Sequence, residues 1–251
     1  MVVILIIQRF ISGEDSLGIV ISAITHMAAI IHITRKLTLR FFTQKPKIHD
    51  CSLFDILLYF IVKMISWIIF KCFFGLRITG SKNLPKSGPF IVVANHSSVF
   101  DGFILAASIK PKITFMAAAY LFKINFYRYI LQGMDAIPVQ RDGSDIFALK
   151  KSIKALKQGG ILGIFPEGRM KKEEDSTSAK AGAAYLAVKT DVPIIPLAIK
   201  GADMILPAGE KWPKFSRIEV QIGKSIITSK ASNKNKKIIE KIVNTYMKEI
   251  Y

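Results

Sequence analysis

Acidic residues are scarce in this chain: 18 Asp and Glu stand against 36 Lys and Arg among 251 residues, a formal net charge of +18. The imbalance favours anionic partners, whether phospholipid headgroups, nucleic acid or phosphorylated small molecules, and does not choose among them. Cysteine is scarcer still. Cys51 and Cys72, the two present, lie in or beside a strongly apolar segment without metal-type spacing, so no disulfide is implied and a reducing cytosolic setting is the default. The four histidines, His26, His32, His49 and His96, are scattered and form no short-spaced ligand set with acids or cysteines, so no zinc-type metal site is expected. Gly-x-Ser-x-Gly is absent, which argues against a serine hydrolase built on a nucleophile elbow. No recognisable nucleic-acid-binding module occurs, and the hydrophobic excess is out of keeping with one.

Apolar side chains, at 51% of the residues, are what the chain has in surplus. They suffice for one sizeable core with residues to spare, and a membrane is the natural place for the remainder. Residues 1–50 read as an N-terminal extension. Within it, residues 16–34 carry no Asp, Glu, Lys or Arg and would cover roughly 28 Å as a helix, close to the thickness of a bilayer core. This is a candidate transmembrane helix, weakened by its two histidines, its hydroxyl side chains and its glycine; an ordinary buried or poorly ordered extension is the alternative. Arg35, Lys36, Arg40, Lys45 and Lys47 follow it, so an inserted helix would leave the main domain on the cytoplasmic face. Met1–Ile7 has no basic residue before its apolar run, so a secretory signal is not expected.

Residues 51–75 form a second apolar segment, interrupted by Asp55, Lys63 and Lys71 and too broken to cross hydrocarbon. The two lysines fall within about 80° of each other on a helical wheel, which suits a membrane-anchoring helix lying in the headgroup plane with snorkelling lysines. A core helix of the globular domain is the other reading.

Residues 76–251 alternate short strand-like runs with helical stretches, the pattern of a single α/β domain with a mixed, largely parallel sheet flanked by helices. The expected strands are Leu76–Thr79, Pro89–Ala94, Ile113–Ala118, Ala136–Gln140, Ile161–Phe165, Pro193–Lys200 and Arg217–Gly223. Helices are expected at Val99–Ser108, Tyr120–Leu131, Ser144–Gln158 with Ser144 as N-cap, Lys180–Thr190 and the amphipathic C-terminus. Gly159 and Gly160 close the third of these.

At Val92–Phe103 the chain reads VVANHSSVFDGF. Residues five apart lie about 140° around a regular helix, so His96 and Asp101 meet only if His96 sits at a strand exit and Asp101 in the first helical turn. Ser98-x-x-Asp101 also resembles a capping box, in which case Asp101 would merely close the helix start. Both readings stand on this stretch alone.

Three further motifs follow in order: GMDAIPVQR (Gly133–Arg141), FPEGR (Phe165–Arg169) and VPIIPLAI (Val192–Ile199). In this order and spacing, Leu76–Lys224 resembles the glycerolipid acyltransferase family, whose best-known members are lysophosphatidic acid (1-acylglycerol-3-phosphate) acyltransferases. The resemblance implies a general base, His96, oriented by Asp101, and a substrate site that includes Asn95, Arg141, Glu167, Gly168 and Arg169. Arg141 would meet the acceptor's phosphate, since a guanidinium fork offers two parallel charged donors. Glu167 is suited to glycerol hydroxyls or to orienting Arg141 or Arg169. The family's third motif continues Thr-Arg, whereas here Arg169 follows Gly168 directly, so its equivalence to the usual arginine is open. Lys180 and Gly182 also match the downstream pattern, although a helix start explains Lys180 equally.

The function so implied is transfer of a fatty acyl group from acyl-CoA or acyl-carrier protein, the co-substrate, to the hydroxyl of lysophosphatidate at a membrane phospholipid surface. It needs no cofactor, no metal and no nucleic acid. Another lysophospholipid acceptor and a non-catalytic basic membrane-surface protein are the alternatives.

Overall fold

The seven apolar runs become the strands of one sheet, in the order β1-β7-β6-β2-β5-β3-β4. The strands are β1 (Arg77–Thr79), β2 (Phe90–Ala94), β3 (Ile113–Ala118), β4 (Ile137–Val139), β5 (Ile161–Ile164), β6 (Ile194–Lys200) and β7 (Glu219–Ile222). This computed structural model describes residues 53–140, 145–166, 177–207, 210, 213–227 and 236–250. The extension 1–50, with its candidate transmembrane stretch at 16–34, lies outside them, as do Arg141, Glu167, Gly168 and Arg169.

Side-chain pattern explains strand position. β2 (FIVVA) and β5 (ILGI) are buried at every residue, as runs covered on both faces must be, whereas β7 (EVQI) alternates exposed and buried. β2 pairs in parallel with β5 and β6, and β3 with β5 and β4. β7 runs antiparallel to β6, with Lys200 opposite Glu219, and β1 runs parallel to β7, so these two strands oppose the other five.

Helices cover both faces. On one, α1 (Leu53–Cys72), α2 (Asp101–Ser108) and α3 (Asn125–Gly133) share a core that includes Tyr59, Phe70, Ile104 and Leu105. On the other, α4 (Ile146–Lys157), α5 (Thr177–Thr190) and α6 (Lys236–Ile250) bury Leu156, Leu186 and Tyr246. Cys51–Tyr251 forms one compact unit.

α1 is two-faced. Tyr59 and Phe70 are buried in the core, while Leu57, Phe60, Met64, Trp67, Ile68 and Phe73 along its length and end are exposed. Its lysines do not snorkel. Lys63 Nζ donates to the carbonyls of Ile109, Lys110 and Pro111, just beyond the C-terminus of α2, and Lys71 Nζ donates to Leu76 O. Unpaired carbonyls past a helix end attract a cation more strongly than a distant headgroup plane does. Burial brings the Lys63 ammonium down to about 8. Among the described residues, no helix is long and apolar enough to cross a membrane.

Two local expectations are corrected. The helix expected over Tyr120–Leu131 is split into a 3-10 helix, Ala119–Lys123, and α3, because Ile124 between them takes an extended backbone. The cap of α4 is Asp145 rather than Ser144: its carboxylate accepts from Ala148 N–H at 2.9 Å and Gln140 N–H at 2.8 Å, and these bonds lower its pKa. A carboxylate one residue along binds two amides where a hydroxyl would bind fewer.

Gly201, at the turn leaving β6, has φ +80°, and a Cβ there would lie 2.1 Å from Arg217 O. Both the left-handed backbone and the backbone clash penalise a side chain. Gly201→Ala is therefore expected to cost about 2–4 kcal/mol, read as a lower denaturant midpoint at unchanged m.

Candidate active site

β2 ends at Ala94, and the next residues turn across the C-terminal end of the sheet before α2 begins at Asp101. His96 Nδ1 lies 3.0 Å from Asp101 Oδ2. The same oxygen accepts from the backbone N–H groups of Ser97, at 2.7 Å, and Ser98, at 2.8 Å. The capping-box reading does not hold: Asp101 is the first residue of α2, whose N-cap is Phe100 without a side-chain cap, so the bonds from Ser97 and Ser98 N–H fix the turn before the helix, and the oxygen that accepts them also holds the imidazole.

Asp101 is fully buried, and its Oδ1 has no hydrogen-bond partner among the described residues, so compensation of the carboxylate is concentrated on Oδ2. A carboxylate only accepts, so the proton sits on Nδ1 and the lone pair on Nε2. The imidazole is 23% exposed, open enough to meet a substrate. This is a base with its tautomer set by a buried acid.

β5 neighbours β2, so Phe165, one residue past its end, reaches the histidine. The His96 and Phe165 rings stack, with centroids 4.4 Å apart and planes 20° from parallel. The flat neighbour restrains rotation of the imidazole about its bond to Asp101. Sequence reading passed over Phe165, although its place at the head of FPEGR, directly after a buried strand, was the available signal.

Asn95 has a different contact from the one expected. Its Nδ2 donates to Ile199 O at 2.8 Å and its Oδ1 accepts from Ile199 N–H at 2.7 Å. The β2–β6 ladder ends at Ala94↔Leu197, and the Asn95 amide continues it like one more backbone unit, tying down the start of the turn that carries His96. Gly182, on α5, has open space where a side chain would stand, so packing does not require glycine there.

The remaining expected residues lie outside the described ones, but the strands before them are informative. β4 and β5 run parallel to β2 through the sheet, so Gln140 and Pro166, the last described residues before Arg141 and Glu167, follow strands that end on the same side as His96.

Residues 75–200, which contain all seven residues of the expected site, match the acyltransferase family model. The chain belongs to the acyltransferase family. This acyltransferase-family chain is 32% identical over 177 residues to the chloroplastic 1-acyl-sn-glycerol-3-phosphate acyltransferase of Arabidopsis thaliana, covering 69% of this chain and 49% of the relative. It is 30% identical over 153 residues to the 1-acyl-sn-glycerol-3-phosphate acyltransferase of Bacillus subtilis, covering 61% of this chain and 74% of that protein. The chain thus spans about half the length of the plant relative and about three quarters of the bacterial one. Its fold is that of the 1-acyl-sn-glycerophosphate (LPA) acyltransferase from Thermotoga maritima, with a TM-score of 0.61 at 24% identity, over 89% of this chain and 92% of that one.

Proposed function

We propose that this chain transfers a fatty acyl group from an acyl thioester to the free hydroxyl of lysophosphatidate, forming phosphatidate. The observation that carries the reading is the His96–Asp101 pair, 3.0 Å apart where β2 meets α2, in a chain of the acyltransferase family. The names of its plant and bacterial relatives point to the acceptor.

An alcohol is a poor nucleophile at neutral pH, and removing its proton as the bond forms is worth about 10²–10⁴ in rate. His96 Nε2 takes that proton while the hydroxyl oxygen attacks the thioester carbonyl carbon. Collapse of the tetrahedral adduct breaks the C–S bond, and the imidazolium returns the proton to the leaving sulfur. Asp101 stabilises the imidazolium formed in between, and no acyl-enzyme is required. Arg141, by family resemblance, meets the acceptor phosphate, with Glu167, Gly168 and Arg169 completing the acceptor site. The thioester is acyl-CoA or acyl-carrier protein, and the exposed apolar face of α1 holds the domain at the cytoplasmic side of a membrane.

Incubating the purified chain with lysophosphatidate and a panel of acyl-CoA and acyl-carrier-protein donors, with products read by mass spectrometry, tests this. Phosphatidate is the expected product; no phosphatidate from any donor would remove the reading.

The stacked ring adds a prediction. Phe165→Leu keeps an apolar contact but loses the flat partner, so kcat is expected to fall on the order of tenfold with KM little changed, and Phe165→Tyr to retain most of the rate. Steady-state kinetics on both variants check it.

A further inference from the structure

The outer surface of α4 carries charge of one sign. Lys150, Lys151, Lys154 and Lys157 stand within Ile146–Lys157 and no Asp or Glu does, whereas α6 mixes its four lysines with Glu240 and Glu249. Lys150, Lys154 and Lys157 are exposed, and the half-buried Lys151 lies over the Phe147 ring at 4.6 Å. Ile146 and Phe147, at the head of the same helix, are 63% and 50% exposed. Among the described residues, none of the four lysines has a carboxylate within ion-pair distance. Asp135, whose field reaches Lys151, is held by Lys112 at 3.2 Å. The four lysines fall within about 120° of the helix circumference, with Lys150 and Lys154 four apart and Lys154 three from both Lys151 and Lys157. Like charges at these spacings destabilise a helix, and a single Glu among them would relieve it.

Strand directions place this surface beside the reaction. Asp145, the cap of α4, accepts from the Gln140 N–H just past β4, so Ile146 and Phe147 stand at the C-terminal end of the sheet, as His96 does. β4 is three strands from β2, on the order of 14 Å across the sheet. α4 packs on the face opposite α1. A small-molecule donor is held in a concave pocket; a convex helix with lysines spread along about 10 Å of its axis matches an extended acidic surface instead.

We propose that the outer surface of α4 docks the acyl donor in the form of an acidic acyl-carrier protein, whose thioester, on its flexible arm, then reaches His96 from the β4 edge of the sheet. Lys150, Lys154 and Lys157 meet carboxylates of the carrier, and Ile146 and Phe147 supply the apolar contact beside them. Complementary charge steers the encounter and fixes its register, and the net charge of +18 adds to the steering. Because α1 lies on the opposite face, a docked carrier does not compete with what α1 touches. The inference rests on the acyl-transfer reading and deepens it by assigning the donor class.

The test uses the full chain, with palmitoyl-loaded bacterial acyl-carrier protein and palmitoyl-CoA as alternative donors to lysophosphatidate. In the double variant Lys150→Glu/Lys154→Glu, KM for the carrier-protein donor is expected to rise about tenfold, while kcat and KM on palmitoyl-CoA stay unchanged. Lys150→Arg/Lys154→Arg should keep the wild-type values, and added salt should raise the wild-type KM for the carrier protein. An equal rise for both donors, or a rise for neither, overturns the docking surface. Binding of fluorescently labelled carrier protein, read by anisotropy, requires no turnover. Weakening of about tenfold in the Glu double variant supports the docking surface even in a chain that transfers no acyl group. No binding by the wild type overturns it while leaving transfer from palmitoyl-CoA standing.

Discussion

Replacing His96 with alanine is expected to lower kcat by at least about 10²-fold while the protein remains folded, because the variant loses the base proposed to take the acceptor's proton. The imidazole stands at the end of the sheet and outside both core clusters, so near-wild-type turnover in His96→Ala would sink the mechanism rather than report on stability. Asp101→Asn separates two functions of one side chain. If the new amide oxygen takes the place of Oδ2, it still accepts from Ser97, Ser98 and His96, but its NH₂ then fills the position of Oδ1, which has no partner among the described residues. If it flips, the NH₂ faces Nδ1, drives the proton to Nε2 and removes the lone pair that the reaction needs. One arrangement costs about 1–3 kcal/mol for a buried unpaired donor, and the other costs activity. The expected result is a lower unfolding midpoint together with reduced kcat, measured on the same preparation.

A chain starting at Leu76 is expected to lose its fold, not only its hold on a membrane. From the sequence alone, residues 51–75 read as a membrane-anchoring helix, with a core helix of the globular domain as the other reading. In the structure, α1 buries Tyr59 and Phe70, the Tyr59 hydroxyl accepts from Ile113 N–H at 2.9 Å at the start of β3, and Lys63 closes the end of α2. Tyr59→Ala alone should cost about 3–5 kcal/mol, a large part of the 5–15 kcal/mol that a domain typically has. Chemical denaturation of Tyr59→Ala beside Met64→Ser, which changes the exposed face, separates the two roles of the helix. The first should lower the midpoint strongly. The second should leave it within about 0.5 kcal/mol and weaken vesicle binding instead. A chain starting near Cys51 keeps the whole compact unit and is expected to unfold like the full chain.

Much of the architecture could be read in advance because it is written in local patterns. Runs such as FIVVA and IIPLAI are apolar at successive positions, which a strand covered on both faces tolerates and an amphipathic helix does not, so all seven strands were placed to within a few residues. The His96–Asp101 contact was legible for a related reason: a strand exit followed at once by a helix start leaves few ways to place a histidine and an aspartate five residues apart. Contacts between distant segments were not legible. That β5 lies beside β2, and so sets Phe165 against His96, depends on strand order, and no local propensity encodes pairing across a sheet. The reversal of β7 against β6 is likewise a matter of topology. Asn95 was read as a substrate contact because its motif suggested one; only the proximity of Ile199, 104 residues away, gave the amide both partners on one peptide group. Lys63 was read as snorkelling from its place on a helical wheel, which has no neighbour in it. Hydrophobic periodicity thus determined which segments are strands and helices, while the tertiary structure decided which polar side chains meet, because hydrogen bonds and ring contacts act over a few ångströms and only the folded chain brings those groups that close.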